Sequence, residues 1–359
     1  MPFFSFSKAP QSLQQEWQEA INKVIKKGIF ILGDQVCEFE TRWNKSVGTS
    51  YALGTSNGQD ALVLGLRALG IKKGKKVLVP AHSFIATHNA VVALGAEIVS
   101  IDVNRNGLLD ENLLKEIREP IDALIAVHMH GRMCNMPSIR SWAKKNQVAI
   151  VEDSSQAHNA EFQGIKAGNW GDIGIFSLYP TKNLGALGDA GVIVTNDENL
   201  FSIMSKLSNY GTLKGNKYEH LAFGLNHRLD EIQAAVLNVN LKYLIEWNAR
   251  RKEIADIYLK EINHPGIEFL NADASNNVWH HFCILVNDRD QIRNKLLDHD
   301  VYTEVHYPFV ASNEVEKYQL KPIKVYPNAK KIASKTLSLP ISPWHSDEEI
   351  YKVVSLLNK

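Results

Sequence analysis

The segment LYPTKNLGALGDAG (178–191) places Lys182 between a hydrophobic run and three closely spaced glycines. A lysine amine is a nucleophile when it is partly neutral, and glycines let the backbone pass close to a cofactor or substrate. A surface lysine in a glycine-rich turn is the plainer interpretation of this segment taken alone. The rest of the chain must decide between the two.

The segment VEDSSQAHNA (151–160) puts Asp153 at the carboxyl end of a predicted buried strand. Ligands bind at that edge of an open α/β sheet, and a carboxylate there needs a cation, a hydrogen-bond donor or water. A helix N-cap would explain Asp153 equally well. Gln156, three residues later, could complete such a cap or contact the same ligand.

The segment TSNGQDAL (55–62) predicts a small polar loop that enters an apolar helix. Free backbone N–H groups and the helix dipole at such a junction suit a phosphate, although many loop-to-helix junctions look alike. Ser177, five residues before Lys182, could reach the same phosphate.

A phosphate-binding loop, a carboxylate at one strand end and a lysine at another are the three groups that pyridoxal 5′-phosphate (PLP) requires. The lysine forms a Schiff base with the cofactor, and the loop anchors its phosphate. The carboxylate favours a protonated pyridine nitrogen by roughly 1–3 pKa units, so that the ring can accept electrons. The lysine must lose its proton more easily than free lysine, whose pKa is about 10.4. The sequence therefore predicts PLP as cofactor.

Short apolar runs alternate with helical segments and predict the sheet that must position these groups. The runs lie at 77–80, 97–103, 123–129, 148–153, 174–179 and 191–196. Runs buried on both faces and spaced by helices are typical of a mostly parallel α/β sheet. A helical pattern from 228 to 262 leads into a smaller α+β region. We therefore predict a large domain over 1–240 and a small C-terminal domain over 241–359, with the boundary inside that helix.

Composition argues against several classes of function. The net charge is +1 and no basic run stands out, so we expect no nucleic-acid binding. The three cysteines lie far apart, without a Cys/His cluster, so we expect reduced thiols, no metal site and a cytoplasmic location. The sequence shows no signal peptide and no run of 18 apolar residues, so we expect a soluble protein without a membrane span.

Together with NHRLDEIQAAVL (226–237), the lysine and aspartate segments resemble the DegT/DnrJ/EryC1/StrS sugar aminotransferases, which are PLP enzymes of fold type I. The resemblance runs almost end to end, from ILGDQVCEFE (31–40) to LSLPISPWHSDEEI (337–350). It implies a large domain with a mostly parallel mixed sheet flanked by helices, and a smaller α+β domain.

The resemblance assigns the contacts to the cofactor ring. Lys182 would form the Schiff base, Asp153 would pair with the pyridine nitrogen, and Gln156 would contact the ring hydroxyl. Phe84, in PAHSFIAT, would stack on the ring.

The resemblance also assigns the contacts to the cofactor phosphate. Asn57, Gly58 and Ser177 would hold it within one subunit. Asn226 would reach the phosphate of the neighbouring subunit, so the expected assembly is a homodimer with shared active sites.

The segments NGQDAL (57–62) and PTKNLGALGDAG (180–191) are most similar to the branch that aminates C-3 of dTDP-3-keto-6-deoxyhexoses. By this resemblance L-glutamate is the amino donor in a ping-pong reaction, and free Lys182 moves a proton between the donor and the cofactor. Tyr179 would face the sugar, and His306 and Tyr307 would contact the nucleotide diphosphate. Four positions near the substrate depart from the residues usual in that branch and leave the exact sugar open: His82, Arg132, Leu178 and His227.

Three alternatives remain. A C-4 nucleotide-sugar aminotransferase would share the cofactor chemistry. A sugar dehydratase of the same fold would carry histidine where this chain has Lys182. A non-catalytic regulator would not need the intact set of Lys182, Asp153 and Gln156.

Overall fold

A seven-stranded sheet forms the centre of the protein. The structure is a computed structural model that describes residues 1–212, 218–270, 276–319 and 323–359. The sheet is built from β1 (Tyr51–Thr55), β2 (Lys76–Pro80), β3 (Glu97–Ile101), β4 (Ala123–Val127), β5 (Ala149–Asp153), β8 (Ile173–Ser177) and β9 (Gly191–Thr195). A short hairpin of β6 (Glu161–Phe162) and β7 (Ile165–Lys166) lies between β5 and β8.

The strand order is β1-β9-β8-β5-β4-β2-β3. Five adjacent strands run parallel to one another: β8, β5, β4, β2 and β3. The strand β9 runs antiparallel to both of its neighbours, β8 and β1. Parallel strands end at the same edge of a sheet, so the residues that follow β2, β5 and β8 meet there. The predicted mostly parallel sheet and the direct pairing of the last two runs are confirmed.

Helices cover the sheet on both faces, as the near-continuous burial of its strands requires. Those before β9 are α1 (Gln11–Lys27), α2 (Asp34–Val47), α3 (Gly58–Ala68), α4 (Ile85–Ala93) and α5 (Met136–Asn146). A short 3₁₀-helix over Glu111–Glu116 lies between β3 and β4. After β9 come α6 (Glu198–Leu207), α7 (Glu231–Asn240) and α8 (Leu244–Glu261).

The chain after α8 forms a second, three-stranded sheet. Its order is β10 (Ile267–Phe269), β11 (Phe282–Val286) and β12 (Thr336–Leu339), all antiparallel. Four helices accompany it: α9 (Arg289–Leu297), α10 (Ala311–Tyr318), α11 (Pro327–Lys335) and α12 (Asp347–Leu357). One apolar cluster packs α8 and α12 against this sheet, separately from the cluster under the central sheet. The division at residue 240 stays a prediction.

The prediction of one long helix over 228–262 is wrong, because the chain turns between α7 and α8. Tyr243 N–H bonds back to the Asn240 carbonyl at 3.0 Å in a tight turn. The Asn240 side chain bonds elsewhere, accepting from Trp17 and donating to the Gly185 carbonyl. A side chain that forms hydrogen bonds to other parts of the fold favours the end of a helix at that residue. None of the described helices is long and apolar enough to cross a membrane.

Candidate active site

A cavity of about 460 Å³ opens at the carboxyl edge of the central sheet. It brings together ten of the predicted site residues: Asn57, Gly58, Phe84, Asp153, Gln156, Ser177, Tyr179, Lys182, His306 and Tyr307. They come from the ends of β5 and β8, the starts of α3 and α4, and the segment before α10. Sequence-distant groups meet here because parallel strands end at one edge.

Lys182 lies in the loop that joins β8 to β9. The Leu178 N–H bonds to the Ala190 carbonyl, and the Ala186 N–H bonds to the Leu178 carbonyl, both at 2.8 Å, so the loop is pinned at its base. The amine of Lys182 makes no hydrogen bond to any described residue. Burial lowers its pKa to about 8, and the Asp153 carboxylate opposes that decrease. A substantial neutral fraction therefore exists near neutral pH, as a nucleophile requires.

The glycines of this loop approach the protein's own backbone, which differs from the predicted approach to a ligand. A Cβ on Gly185 would lie 2.3 Å from the Pro180 carbonyl oxygen, and one on Gly191 would lie 2.5 Å from the Asn57 carbonyl oxygen. Both distances are impossible for a side chain. The glycines thus allow the loop to pack against itself and against the start of α3.

Asp153 is the last residue of β5 and is 6% exposed. Its Oδ2 accepts a hydrogen bond from the Thr87 hydroxyl at 2.9 Å, and its Oδ1 accepts one from the Ser155 N–H at 3.2 Å. Turns rather than a helix follow it, so the N-cap interpretation is wrong. The carboxylate keeps lone pairs for a cationic partner in the cavity.

The neighbouring Glu152 points to the other face of β5 and anchors the strand. It is fully buried and accepts hydrogen bonds from the N–H groups of Gly168, Trp170 and Gly171 and from His128 Nε2. Strand residues alternate between faces, so this network fixes the side from which Asp153 enters the cavity.

The start of α3 presents unpaired backbone donors. The Asn57 side chain caps the helix by accepting from the Asp60 N–H at 2.8 Å. No described acceptor bonds the N–H groups of Gly58 and Gln59. A Cβ on Gly58 would lie 2.7 Å from the Ser177 Cβ, so glycine is what lets the serine hydroxyl approach the helix start.

These groups fit PLP. Free N–H groups at a helix start, with a hydroxyl beside them, match a phosphate. An unbonded amine and a carboxylate with free lone pairs face the same cavity, where they match the aldehyde carbon and the ring nitrogen of the cofactor.

Gln156 bridges two parts of the cavity wall. Its Oε1 accepts from the His130 N–H at 2.6 Å, and its Nε2 donates to the Tyr307 hydroxyl at 3.1 Å. The Tyr307 ring lies 5.3 Å from the ring of Phe84, which is half exposed at the start of α4. Burial raises the pKa of the Tyr307 phenol, so it stays protonated.

Three histidine rings lie against one another in the wall, and those of His281 and His306 are stacked. The ring centroids of His281 and His306 are 3.7 Å apart, and those of His280 and His281 are 3.9 Å apart. Burial, with a smaller effect of Lys182, lowers the pKa of His306 to about 4. Burial likewise lowers the pKa of the other two. In this state the three rings are neutral hydrogen-bonding groups and carry no positive charge.

Asn226 does not line this cavity. It is exposed and lies in an adjoining pocket of about 400 Å³ that shares Asn57 and Asp189 with the main cavity. The four positions expected near the substrate do not line the main cavity either, and two of them, His82 and Leu178, are fully buried.

Sequence reasoning did not assign Thr87, which bonds Asp153, or Asp189, which lines both pockets. Thr87 could have been found, because it follows Phe84 by three residues and so lies on the same helix face. Asp189 carries no such signal.

Residues 11–358 match the DegT/DnrJ/EryC1/StrS aminotransferase family. The chain belongs to this family. A dTDP-3-amino-3,6-dideoxy-alpha-D-galactopyranose transaminase from Aneurinibacillus thermoaerophilus is 39% identical, over 100% of this chain and 99% of its own. A dTDP-3-amino-3,4,6-trideoxy-alpha-D-glucose transaminase from Streptomyces venezuelae is 36% identical, over 100% and 96%.

Solved structures of similar proteins agree with the fold. S. venezuelae DesV, in complex with a ketimine intermediate, has a TM-score of 0.95 at 36% identity, covering 99% of this chain and 97% of its own. NtdA from Bacillus subtilis, with bound cofactor PMP, has a TM-score of 0.92 at 30% identity, covering 99% and 84%. The predicted fold type I architecture and PLP cofactor are confirmed, and the protein is a PLP-dependent aminotransferase.

Proposed function

We propose that this protein transfers the amino group of L-glutamate to C-3 of a dTDP-linked 3-keto-6-deoxyhexose, for deoxyamino-sugar biosynthesis. The observation that carries the proposal is the unbonded Lys182 amine facing Asp153 in a cavity that begins at a helix N-terminus. The A. thermoaerophilus and S. venezuelae relatives, both dTDP-3-amino-sugar transaminases, support the position and the nucleotide.

Lys182 and Asp153 perform the central roles. PLP, when bound, supplies an electron-accepting ring beside the amino group that is transferred. Lys182 Nζ would hold the cofactor at rest, and as a free amine it would take the proton from the donor Cα and deliver it to C4′ of the cofactor. Asp153, held by the Thr87 hydroxyl, keeps the ring nitrogen protonated.

The remaining wall residues orient the cofactor and the substrates. The Gly58 N–H and the Ser177 hydroxyl bind the phosphate. Gln156, which is bonded to Tyr307, would contact the ring hydroxyl, and Phe84, beside Tyr307, would pack against the ring.

The sugar nucleotide binds at the outer part of the cavity. Tyr179 is half exposed there and contacts the sugar, and His306 and Tyr307 donate hydrogen bonds to the diphosphate. A site that hydrogen-bonds one hydroxyl pattern rejects an epimer through unpaired polar groups.

The active assembly is a homodimer with two shared sites. Four apolar side chains in a row, Ile29 to Leu32, are exposed, and Ile31 borders the pocket that contains Asn226. An exposed apolar run beside a site is typical of a surface that a second subunit covers. The proposed location is the cytoplasm, in agreement with three free thiols.

The test is product analysis by mass spectrometry and NMR after incubation with glutamate and a panel of 3-keto and 4-keto nucleotide sugars. Amination at C-3 is expected, and amination only at C-4 would refute the position while leaving the aminotransferase intact. Lys182→Ala is the inactive control: it binds PLP without covalent attachment. Full turnover by Lys182→Ala would refute the role of the lysine.

A further inference from the structure

The carboxylate of Asp60 holds the turn that leads into α3. Its Oδ2 accepts a hydrogen bond from the Ser56 hydroxyl at 2.5 Å and another from Asn57 Nδ2 at 2.9 Å. The Asp60 N–H donates in return to Asn57 Oδ1 at 2.8 Å. Both ends of the Asn57 amide are therefore bonded to Asp60, and the two side chains immediately before Gly58 are fixed by one carboxylate.

This turn borders the cavity, whereas Asp60 itself does not line it. Asn57 and Gly58 are in the cavity wall, and the Gly58 N–H has no described acceptor. An amide nitrogen has two hydrogens, so Asn57 Nδ2 keeps a second one after its bond to Asp60. The hydrogen bonds of Asp60 thus reach a ligand only through these neighbours.

His227 approaches Asp60 from the segment that also carries Asn226. Its Nδ1 lies 3.3 Å from Asp60 Oδ2, within ion-pair range, although neither ring nitrogen forms a hydrogen bond of good geometry with a described residue. The side chain is buried, and the His227 N–H bonds to the Ser208 carbonyl at 2.9 Å, which fixes the position of the residue. The His227 imidazole is the largest of the influences that lower the pKa of Asp60, and burial opposes them.

We propose that Asp60 and His227 are positioning residues of the phosphate site: Asp60 holds Asn57 and Gly58 in the geometry that binds the cofactor phosphate, and His227 holds the Asp60 carboxylate. The inference rests on the proposed binding of the PLP phosphate at the start of α3. A turn without these bonds must be ordered when the phosphate binds, and the lost conformational entropy opposes binding. His227, expected near the substrate from the sequence, thus acts on the cofactor.

A helix cap is the simpler role for Asp60, because a carboxylate in the first turn of a helix stabilises it. A cap alone would affect the stability of the fold and the binding of every ligand alike. A positioning role affects only a ligand that carries a phosphate. Pyridoxal is the same aldehyde as PLP without the phosphate, so a comparison of the two ligands separates the roles.

Asp60→Ala and Asp60→Asn are a charge-matched pair. Both remove the negative charge, but only asparagine keeps an oxygen that accepts from Ser56 and Asn57. We expect the alanine variant to bind PLP roughly three- to tenfold more weakly than the asparagine variant, the worth of one hydrogen bond, and both to bind pyridoxal equally.

Schiff-base formation in the full-chain apoprotein, followed by absorbance and trapped with borohydride for mass spectrometry, measures both affinities. Equal PLP affinities in the two Asp60 variants, or the same loss for pyridoxal as for PLP, would overturn the proposal. Failure of Lys182 to bind PLP covalently in the parent protein would instead refute the proposed function.

His227→Leu tests whether the imidazole acts through Asp60. In the parent background we expect PLP affinity to fall by roughly three- to tenfold, with His227→Gln, which keeps a donor, closer to the parent. In the Asp60→Ala background the same leucine substitution should change little, because the carboxylate that His227 holds is already absent. Losses that multiply in the double variant would show that His227 acts independently of Asp60.

A crystal structure of the full chain with PLP bound tests the geometry without any variant that must fold. We expect the phosphate within hydrogen-bond distance of the Gly58 N–H and Asn57 Nδ2, with Asp60 Oδ2 still bonded to Asn57. A phosphate that contacts neither group would overturn the proposal.

Discussion

The environment of Lys182 favours the neutral form of its amine more than water does. Burial in the cavity wall lowers the pKa of the amine to about 8, while the Asp153 carboxylate limits the decrease. The neutral amine is the form that attacks a carbonyl, and the protonated form does not. The residue therefore becomes reactive within the range where cells operate, instead of near its ordinary pKa of about 10.4.

The rate of covalent PLP attachment to the apoprotein should follow this titration. Below about pH 8 the neutral fraction falls tenfold per pH unit, so the rate should rise with pH and level off above about 8. Stopped-flow absorbance from about pH 6.5 to about pH 11.5, a range that includes the pKa of free lysine, records the curve. A midpoint near the value of free lysine would contradict the effect of burial.

Thr87 is the hydroxyl that orients the Asp153 carboxylate, through a bond of 2.9 Å. Thr87→Val preserves the branched shape and removes the donor. A hydrogen bond to a charged group is worth about 1.5–3 kcal/mol, so we expect kcat to fall by roughly tenfold or more. Thr87→Ser keeps the hydroxyl and serves as the matched control.

Steady-state kinetics and a thermal melt should accompany both Thr87 variants. Equal kcat values for the valine and serine variants at equal stability would show that the bond to Asp153 does not matter for turnover.

At the scale of elements, β8, β9 and the loop between them carry the lysine and also support the phosphate site. Gly191 is the first residue of β9 and pairs with both Thr55 and Ser177. Its Cα also lies close to the Asn57 carbonyl group. The strand pair and the helix start are therefore packed backbone against backbone. A change at this contact should reach the phosphate-binding groups.

Gly191→Ala should weaken PLP binding and destabilise the fold. Its Cβ would lie 2.5 Å from the Asn57 carbonyl oxygen, a backbone atom that cannot rotate away. We expect a loss of about 1–3 kcal/mol in the free energy of unfolding, and a lower affinity for PLP. Fluorescence titration with PLP and denaturant unfolding measure the two effects.

Gly164→Ala is the control for the loss of a glycine as such. Gly164 has φ +78° and nothing within 4 Å of its Cβ position, so only backbone strain of about 1–2 kcal/mol is expected. PLP affinity should not change. A similar loss of affinity in both variants would mean that the contact with Asn57 is not the cause.

At the scale of the whole molecule, one protomer leaves the pocket around Asn226 open beside an exposed apolar run. If the asparagine serves the partner's cofactor, Lys182→Ala and Asn226→Ala subunits are each inactive alone. A mixed dimer then contains one site in which both residues are native. Activity should reappear on mixing, at up to about half the parent value per dimer, one of two sites being intact.

Subunit exchange in the mixture must be verified, for example with differently tagged chains. No activity in confirmed hybrids would argue that each site is complete within one subunit. Sedimentation of the parent protein as a monomer would reject the assembly itself.

The motif around Lys182, the strand ending in Asp153 and the loop before α3 could be predicted from sequence, because each rests on local chemistry. Buried strands, turns and caps are encoded in neighbouring residues. The alternation of apolar runs was enough to predict a mostly parallel sheet with Asp153 at its carboxyl edge, whereas β1, the strand before the α3 loop, was not among the predicted runs. The prediction of one long helix after 228 was wrong because it rested on local periodicity alone. That periodicity continues through 241–243, although the chain turns there.

Tertiary structure alone decided the contacts between segments distant in sequence. The spacing of Thr87 from Phe84 could have marked it as a site residue, but that segment does not indicate that its hydroxyl reaches Asp153, 66 residues away. The residues around His82 in the sequence likewise do not indicate that it is fully buried. Because it is buried, it does not line the cavity wall. His280 Nδ1 lies 3.1 Å from the side-chain oxygen of Asn183, 97 residues away, and a histidine tautomer is set by such a partner and not by its own segment. Pairings of this kind follow from how the elements pack, a property of the whole chain.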